Sequence, residues 1–358
     1  MPDLAVECDG AAAVGANHRP GHPSVARRVV GSLSSSWHYR RRLDYAVNVC
    51  VIAPWGEWMF ARVFLCVAGL GLSLVAVLLV TSTETDATSR EGVVSVAHRA
   101  GAHAAPENTL AAMDTARAQG IDWLENDVQR TKDGTLVVIH DKTLSRTTDV
   151  EEKFPERAPW KAGDFTWAEI STLDAGGWKG RQWAGERIPT LQQYLRRVDS
   201  NGQKLVLEIK WPEIYPRLAE DTVKELGRLG WLEGDRVTDR LIIQAFDTGT
   251  LQTVRARAPQ ARTALLSREP AVKDLAGYAK VADQINMKYL KATPRYFKAA
   301  HALKGPHGQR LKVFIWTVDD PKSAVEFARG GADGFISNRP DLVQQALADA
   351  HYAGGAAN

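Results

Sequence analysis

The sequence predicts an α/β fold, a (β/α)8 barrel over residues 92–350, preceded by one N-terminal transmembrane or signal segment. Three observations carry this. Short apolar runs alternate with amphipathic stretches from Val93 to about Ala350, the rhythm of β/α units. About eight such units fit into roughly 260 residues, the usual size of this barrel. Reactive side chains recur where the apolar runs end, as a barrel requires of its catalytic rim.

The expected strands are 93–97, 123–129, 136–139, 205–209, 241–245, 263–266, 283–286, 313–316 and 334–336. Helical periodicity fills most of the intervals, at 107–119, 190–198, 214–229, 248–257, 271–280, 294–303, 321–328 and 340–348. A doubly wound open sheet would also alternate strand and helix, but its Gly-rich dinucleotide turn is missing. No fixed-period repeat indicates a solenoid.

Composition narrows the function. Hydrophobic residues make up 44% and charged residues 24% of 358, which excludes a wholly disordered or collagen-like chain. The 45 Lys+Arg against 42 Asp+Glu leave a net charge of +3, without the basic excess of a nucleic-acid binder. The three cysteines are Cys8, Cys50 and Cys66, so no disulfide or Cys-based zinc site can form beyond residue 66.

Residues 1–58 show no trustworthy periodicity and are expected to form an irregular, disordered N-terminal region. Residues 59–80 read as a signal or transmembrane segment. Arg62 precedes an uncharged run, Val63 to Val80, which as a helix would span about 27 Å, close to the roughly 30 Å bilayer core. Basic residues lie before it and Glu84 and Asp86 after it. The expectation is therefore a membrane contact through residues 63–80, with the later residues outside the cytoplasmic membrane or secreted after cleavage. Residues 81–91 form a polar linker.

Within the barrel, Val-Val-Ser-Val-Ala runs into His98 and Arg99. The run at 123–129 carries Glu125 and Asp127 two residues apart, hence on one face of a strand. Leu-Val-Val-Ile runs into His140 and Asp141, and the run at 205–209 carries Glu208, with Lys210 on the same face. The last strands lead into Trp316 and toward Asn338. Buried acids on one rim are costly unless shared by a cation. The simplest explanation is one divalent cation, Mg²⁺ or Ca²⁺, held by Glu125, Asp127 and Glu208. Arg99 would grip phosphate oxygens, and His98 and His140 would form an acid/base pair. That set suits phosphodiester cleavage.

Each residue alone has a plainer reading. Either histidine could be structural, Lys210 a partner of Glu208, Arg99 a surface residue and Trp316 a core aromatic. Asp133-Gly134 reads as a turn, and Glu107 and Asn108 as a helix start. Convergence on one rim favours the functional reading.

The stretches AHRAGAHAAPENTLAA, LENDVQRTKDGTLVVIHDKTLSRTTD and LVLEIK resemble the glycerophosphodiester phosphodiesterase family, with weaker matches at LDAGGWKGRQWAGERIPTL, VFIWTVDD and GADGFISNRPD. The matches run in order across the whole barrel zone. The resemblance implies a TIM (β/α)8 barrel with a small insertion after the second strand, at about 142–189. It implies metal-dependent hydrolysis of glycerophosphodiesters to sn-glycerol 3-phosphate and an alcohol. It assigns His98 and His140 to acid/base catalysis, Glu125, Asp127 and Glu208 to the metal, and Arg99 and Lys210 to phosphate. Trp316 would line the glycerol side. Trp160, Trp167, Trp178 and Trp183 in the insertion would form its own small core, or a site for a lipid tail or leaving alcohol. The family usually has Gly after His-Arg, where this chain has Ala100 and then Gly101; a positive φ there would strain Ala by about 1 kcal/mol.

Other readings are a phospholipase D-like hydrolase of lysophospholipids or other lipid phosphodiesters, a non-catalytic surface-binding barrel, and a membrane-anchored scaffold. The residues leave open the metal, the leaving alcohol, the nucleophile (water or a glycerol hydroxyl), which histidine is the acid, and oligomeric state.

Overall fold

The structure is a computed structural model and describes residues 92–352. The expected segments at 1–58, 59–80 and 81–91 lie outside the described residues, apart from which no described helix is long and apolar enough to cross a membrane.

The nine strands are β1 (Val94–Ala97), β2 (Trp123–Arg130), β3 (Leu136–Val138), β4 (Lys204–Ile209), β5 (Leu241–Ala245), β6 (Arg262–Ser267), β7 (Gln284–Lys288), β8 (Lys312–Trp316) and β9 (Gly334–Ser337). All nine expected strands are present. Eight are parallel, in the order β1-β9-β8-β7-β6-β5-β4-β2, and pairing of β1 with β2 closes the ring. This is a TIM barrel. β3 is the exception: it pairs antiparallel with β2 outside the ring. His140 therefore does not end a barrel strand, as expected, but is delivered by a hairpin.

The α-helices are α1 (Leu110–Ala118), α2 (Val150–Lys153), α3 (Trp167–Ile170), α4 (Leu191–Asn201), α5 (Leu218–Arg228), α6 (Gly234–Asp239), α7 (Thr248–Arg257), α8 (Leu275–Tyr278), α9 (Pro294–His301), α10 (Pro321–Gly330) and α11 (Pro340–Asp349). Side-chain caps from Thr109, Thr190, Asp247, Thr293 and Asp320 satisfy first-turn N–H groups and fix where five of them start. α4 buries Leu191, Tyr194, Leu195 and Val198, an i, i+3, i+4, i+7 stripe. Two expectations shift. The helix at 107–119 starts at Leu110, because Asn108 has φ 61 and cannot continue a right-handed turn. The stretch 271–280 forms only a 3-10 turn and α8, since little beyond Leu275 and Ala279 is buried there to stabilise a longer helix.

Helices pack outside the ring on two clusters, one around Leu124, Leu205 and Ile243, the other around Ile285, Val313 and Phe335. The ring interior is filled by Val96, Val206, Ile242, Ala264, Phe314 and Ile336. Gly334 is required there: a Cβ would lie 2.7 Å from the Phe314 ring.

The chain leaves the ring after β2 and returns at Thr190, so the excursion begins before the expected residue 142. It has its own core of Ile139, Leu144, Phe165, Ile170 and Leu173, with Trp160 and Trp167 against it. Trp183 packs instead on the barrel cluster, and Trp178 is 40% exposed. The expected four-tryptophan core is thus half right. Gly134 has φ 90 in the turn that closes the hairpin, the turn expected at Asp133-Gly134. At the amino-terminal rim, Val93 N–H donates to the Tyr352 carbonyl at 2.8 Å, joining the start of β1 to the end of α11.

Candidate active site

Strand alternation turns Glu125, Asp127, Glu208 and Gln244 into the ring near its carboxyl end, and register sets Asp127 opposite Glu208. One oxygen from each of Glu125, Asp127 and Glu208 lies within 4.8 Å of the others, and all three side chains are buried. Glu125 is fixed at both oxygens, by the Arg99 backbone N–H (2.8 Å) and the Gln244 amide (3.1 Å). The Asn108 amide donates to Asp127 Oδ2 at 2.9 Å. Lys210 Nζ approaches Asp127 Oδ1 (3.1 Å) and Glu208 Oε1 (2.8 Å), but off the line of a hydrogen bond, so those two buried oxygens have no directed donor.

The carboxylates press on one another. Burial, then the charges of Asp127 and Glu208, push the Glu125 carboxyl well above its ordinary value. Burial pushes Glu208 up to about 7, against the pull of Lys210. Burial alone would raise Asp127 too, but Lys210, His140 and Arg99 outweigh it and hold that group well below the usual range. Three buried acids share only Lys210 and, more remotely, an Arg99 already paired with Glu107. Two buried carboxylate oxygens that have an ion pair but no directed hydrogen bond, in an all-oxygen donor set, fit a hard divalent cation.

Each histidine has a different partner. His98 Nδ1 donates to Asn338 Oδ1 at 2.7 Å. The Asn338 orientation is not free, because its amide N donates to the Asp319 carboxylate at 2.8 Å, and a carboxylate only accepts. His98 must therefore carry its proton on Nδ1 and present a lone pair at Nε2. Burial, then Arg99, lowers His98 to about 4, keeping it neutral. His140 Nδ1 donates to Asp141 Oδ1 at 2.6 Å, so its Nε2 is also turned outward. Asp141 is held well below the ordinary range: burial would raise it, but hydrogen bonds from His140 and Arg146 win.

Arg99 (φ 51), Ala100 (φ 64), Asn108 (φ 61) and Trp211 (φ 54) all occupy the left-handed region beside this cluster. Such strain gathers at functional sites. The expected strain at Ala100 is real, about 1 kcal/mol, and is roughly offset because its methyl is buried. Arg99 is not displaced by it: its guanidinium pairs with Glu107 at 2.9 Å and lines the site.

A cavity of about 540 Å³ opens over the cluster, lined by His98, Arg99, His140, Lys210, Trp211 and Trp316 among others. A larger groove of about 1340 Å³, between the excursion and α5, contains none of these residues. Trp316 is anchored by its indole N–H to the Asn286 carbonyl at 2.8 Å. Every residue expected in the site is thus brought to one rim. Sequence reasoning missed others. Glu107 and Asn108 were read as a helix start, yet Glu107 pairs with Arg99 and Arg146, and Asn108 holds Asp127. Asn338 and Asp319 were not assigned. Their only signal was position just after a strand, which turn residues share.

A parallel barrel with two histidines, a buried acid triad and cations on its carboxyl rim defines an enzyme for a charged ester, a phosphoric diester hydrolase. A profile of the glycerophosphoryl diester phosphodiesterase family matches residues 98–342. A glycerophosphodiester phosphodiesterase of Caldanaerobacter subterraneus is 35% identical over 250 residues, 69% of this chain and 95% of that one. Another from Bacillus subtilis is 30% identical over 295 residues, 78% and 96% of the two chains. The solved structure of an Oleispira antarctica phosphodiesterase, in complex with the product sn-glycerol-3-phosphate, superposes with a TM-score of 0.61 at 28% identity, over 72% of this chain and 97% of that one. The chain belongs to the glycerophosphoryl diester phosphodiesterase family.

Proposed function

We propose that the chain hydrolyses glycerophosphodiesters to sn-glycerol 3-phosphate and an alcohol, with His98 as base and His140 as acid. The observation that carries this is the unequal support of the two rings. A neutral amide stands behind His98 and a carboxylate behind His140. The first suits a neutral ring that takes a proton at Nε2 from water or a glycerol hydroxyl. The second suits a ring that holds a proton and gives it to the departing alkoxide. The bond from phosphorus to the alcohol oxygen breaks as the new oxygen–phosphorus bond forms; where the nucleophile is the glycerol hydroxyl, water then opens the resulting cyclic phosphate to give glycerol 3-phosphate. Arg99 and Lys210 border the phosphate position as cations, and Trp316 forms an aromatic wall. Glu125, Asp127 and Glu208 would hold one divalent cation, Mg²⁺ or Ca²⁺, which when bound neutralises phosphoryl oxygens.

The test is release of glycerol 3-phosphate from glycerophosphoglycerol by the full chain, with EDTA and then with Mg²⁺ or Ca²⁺ restored. Activity should follow the metal, and His98→Ala or His140→Ala should each cost about 10²–10⁴ in kcat. Near-normal turnover by a folded histidine variant sinks the assignment. A phospholipase D-like reading is favoured by exposed apolar side chains after the barrel strands, Phe246 at 40% and Leu290 at 64%. Faster turnover of lysophosphatidylglycerol than of glycerophosphoglycerol would put it first. The proposal also includes a catalytic domain outside the cytoplasmic membrane, supported by the charge balance around residues 63–80. Protease access to residues 92–352 in intact cells checks it.

A further inference from the structure

The cations of the cavity are almost all spoken for. Arg99 pairs with Glu107, and Lys210 with Asp127 and Glu208. Arg268, the residue after β6, also lines the cavity. Among the described residues it makes no ion pair and no hydrogen bond. Its guanidinium stands 5.3 Å from the Phe246 ring and 5.8 Å from the Trp316 ring. Those rings pack edge to face at 5.9 Å, and Trp316 is pinned by its indole N–H. The two rings thus form a shelf for an arginine whose in-plane donors remain free.

We infer that Arg268 receives a second anionic group, a phosphate or carboxylate carried by the leaving alcohol, and so makes the enzyme prefer diesters of anionic alcohols. This rests on the proposed function. A guanidinium already occupying the aromatic faces matters in both directions. It offers a planar fork to an oxyanion. It also denies those faces to a quaternary ammonium, which would otherwise use them, and repels it. Lys142 and Lys210 likewise sit over Trp211, at 4.2 and 5.4 Å, so each of the three rings already carries a cation that would repel a cationic alcohol.

The experiment compares kcat and KM of the full, metal-loaded chain on three diesters. They are bis(glycerophospho)glycerol, whose leaving alcohol bears a second phosphodiester, glycerophosphoglycerol, whose alcohol is neutral, and glycerophosphocholine, whose alcohol is cationic. Arg268→Gln should lower kcat/KM for the first about 10- to 100-fold, chiefly through KM, and leave the other two within about threefold. Arg268→Glu should reverse the order of the first and third. Arg268 is exposed, so neither variant threatens folding. Equal loss on all three diesters would place Arg268 on the transferred phosphate or the glycerol and overturn the inference, as would no loss on the first. A wild-type chain that turned over none of them would overturn the proposed function and this inference with it.

Discussion

Asp319 touches neither substrate-facing ring, yet it decides which nitrogen of His98 is free. It accepts from the Asn338 amide, the Asn338 backbone N–H and the Ser337 hydroxyl, leaving Asn338 one orientation. Asp319→Ala should let that amide turn and offer its N–H to His98 Nδ1. The proton would then move to Nε2 and block the base. We expect kcat to fall about 10²-fold with KM little changed, because a wrong tautomer removes a transition-state role, not binding. Imidazole ¹⁵N spectra would read the tautomer directly; an unchanged Nδ1–H with a normal kcat would refute this. The histidines and acids were legible because ionisable groups rarely close apolar runs without purpose. Asn338, Asp319, Glu107 and Asn108 were not, because Asn and Asp after a strand look like turn residues until their distant partners are known.

At the scale of elements, the excursion between β2 and α4 supplies His140 and its partner Asp141 to the site without belonging to the ring. β3 carries the chain to His140, and Arg146 bridges Glu107 and Asp141 across to the loop after β1. Lys179 Nζ adds a second tie, donating to the Ala102 carbonyl at 2.7 Å. The Lys179 loop is gathered by the Asp174 carboxylate, which accepts from the N–H groups of Gly176, Gly177 and Gly185. Gly176 has no room for a side chain: a Cβ would sit 1.9 Å from the Trp183 carbonyl oxygen. Gly176→Ala should therefore open this loop, cost about 1–3 kcal/mol and lower kcat while the ring stays folded. Faster proteolysis within 174–186, with strand and helix content unchanged, is the expected signature; a variant that resists cleavage and keeps full activity would dismiss the role. Strand positions were readable from alternation. That β3 lies outside the ring was not, because a three-residue apolar run has the same pattern in either place.

For the molecule as a whole, two groups set opposite pH dependences. His98, lowered from 6.5 to about 4, contributes stability above pH 6.5, lost as pH falls toward 4 because only the unfolded chain then takes the proton. Glu208, raised from 4.5 to about 7, does the reverse: it favours the folded state below 4.5 and costs stability as pH rises to about 7. The two oppose each other between about pH 4.5 and 6.5, while Glu125, also raised, acts in the same direction as Glu208, so the carboxylate cost is what persists above. A bound cation removes that cost and competes with protons for the same oxygens. Mg²⁺ or Ca²⁺ at a hundred times its Kd at pH 8 should stabilise by about 2.7 kcal/mol, several degrees in Tm, and the same concentration should stabilise less at pH 5.5, where protons weaken binding. Thermal unfolding with and without metal at both values decides it; an equal shift would contradict the carboxylate site. The barrel itself was fully legible, since eight repeats of one rhythm average out errors at any single boundary.

The bond between Val93 and Tyr352 gathers both ends of the described chain at the rim opposite the mouth. A tether joined directly at residue 92 or residue 352 would therefore meet the barrel from beneath and leave the mouth open to substrate.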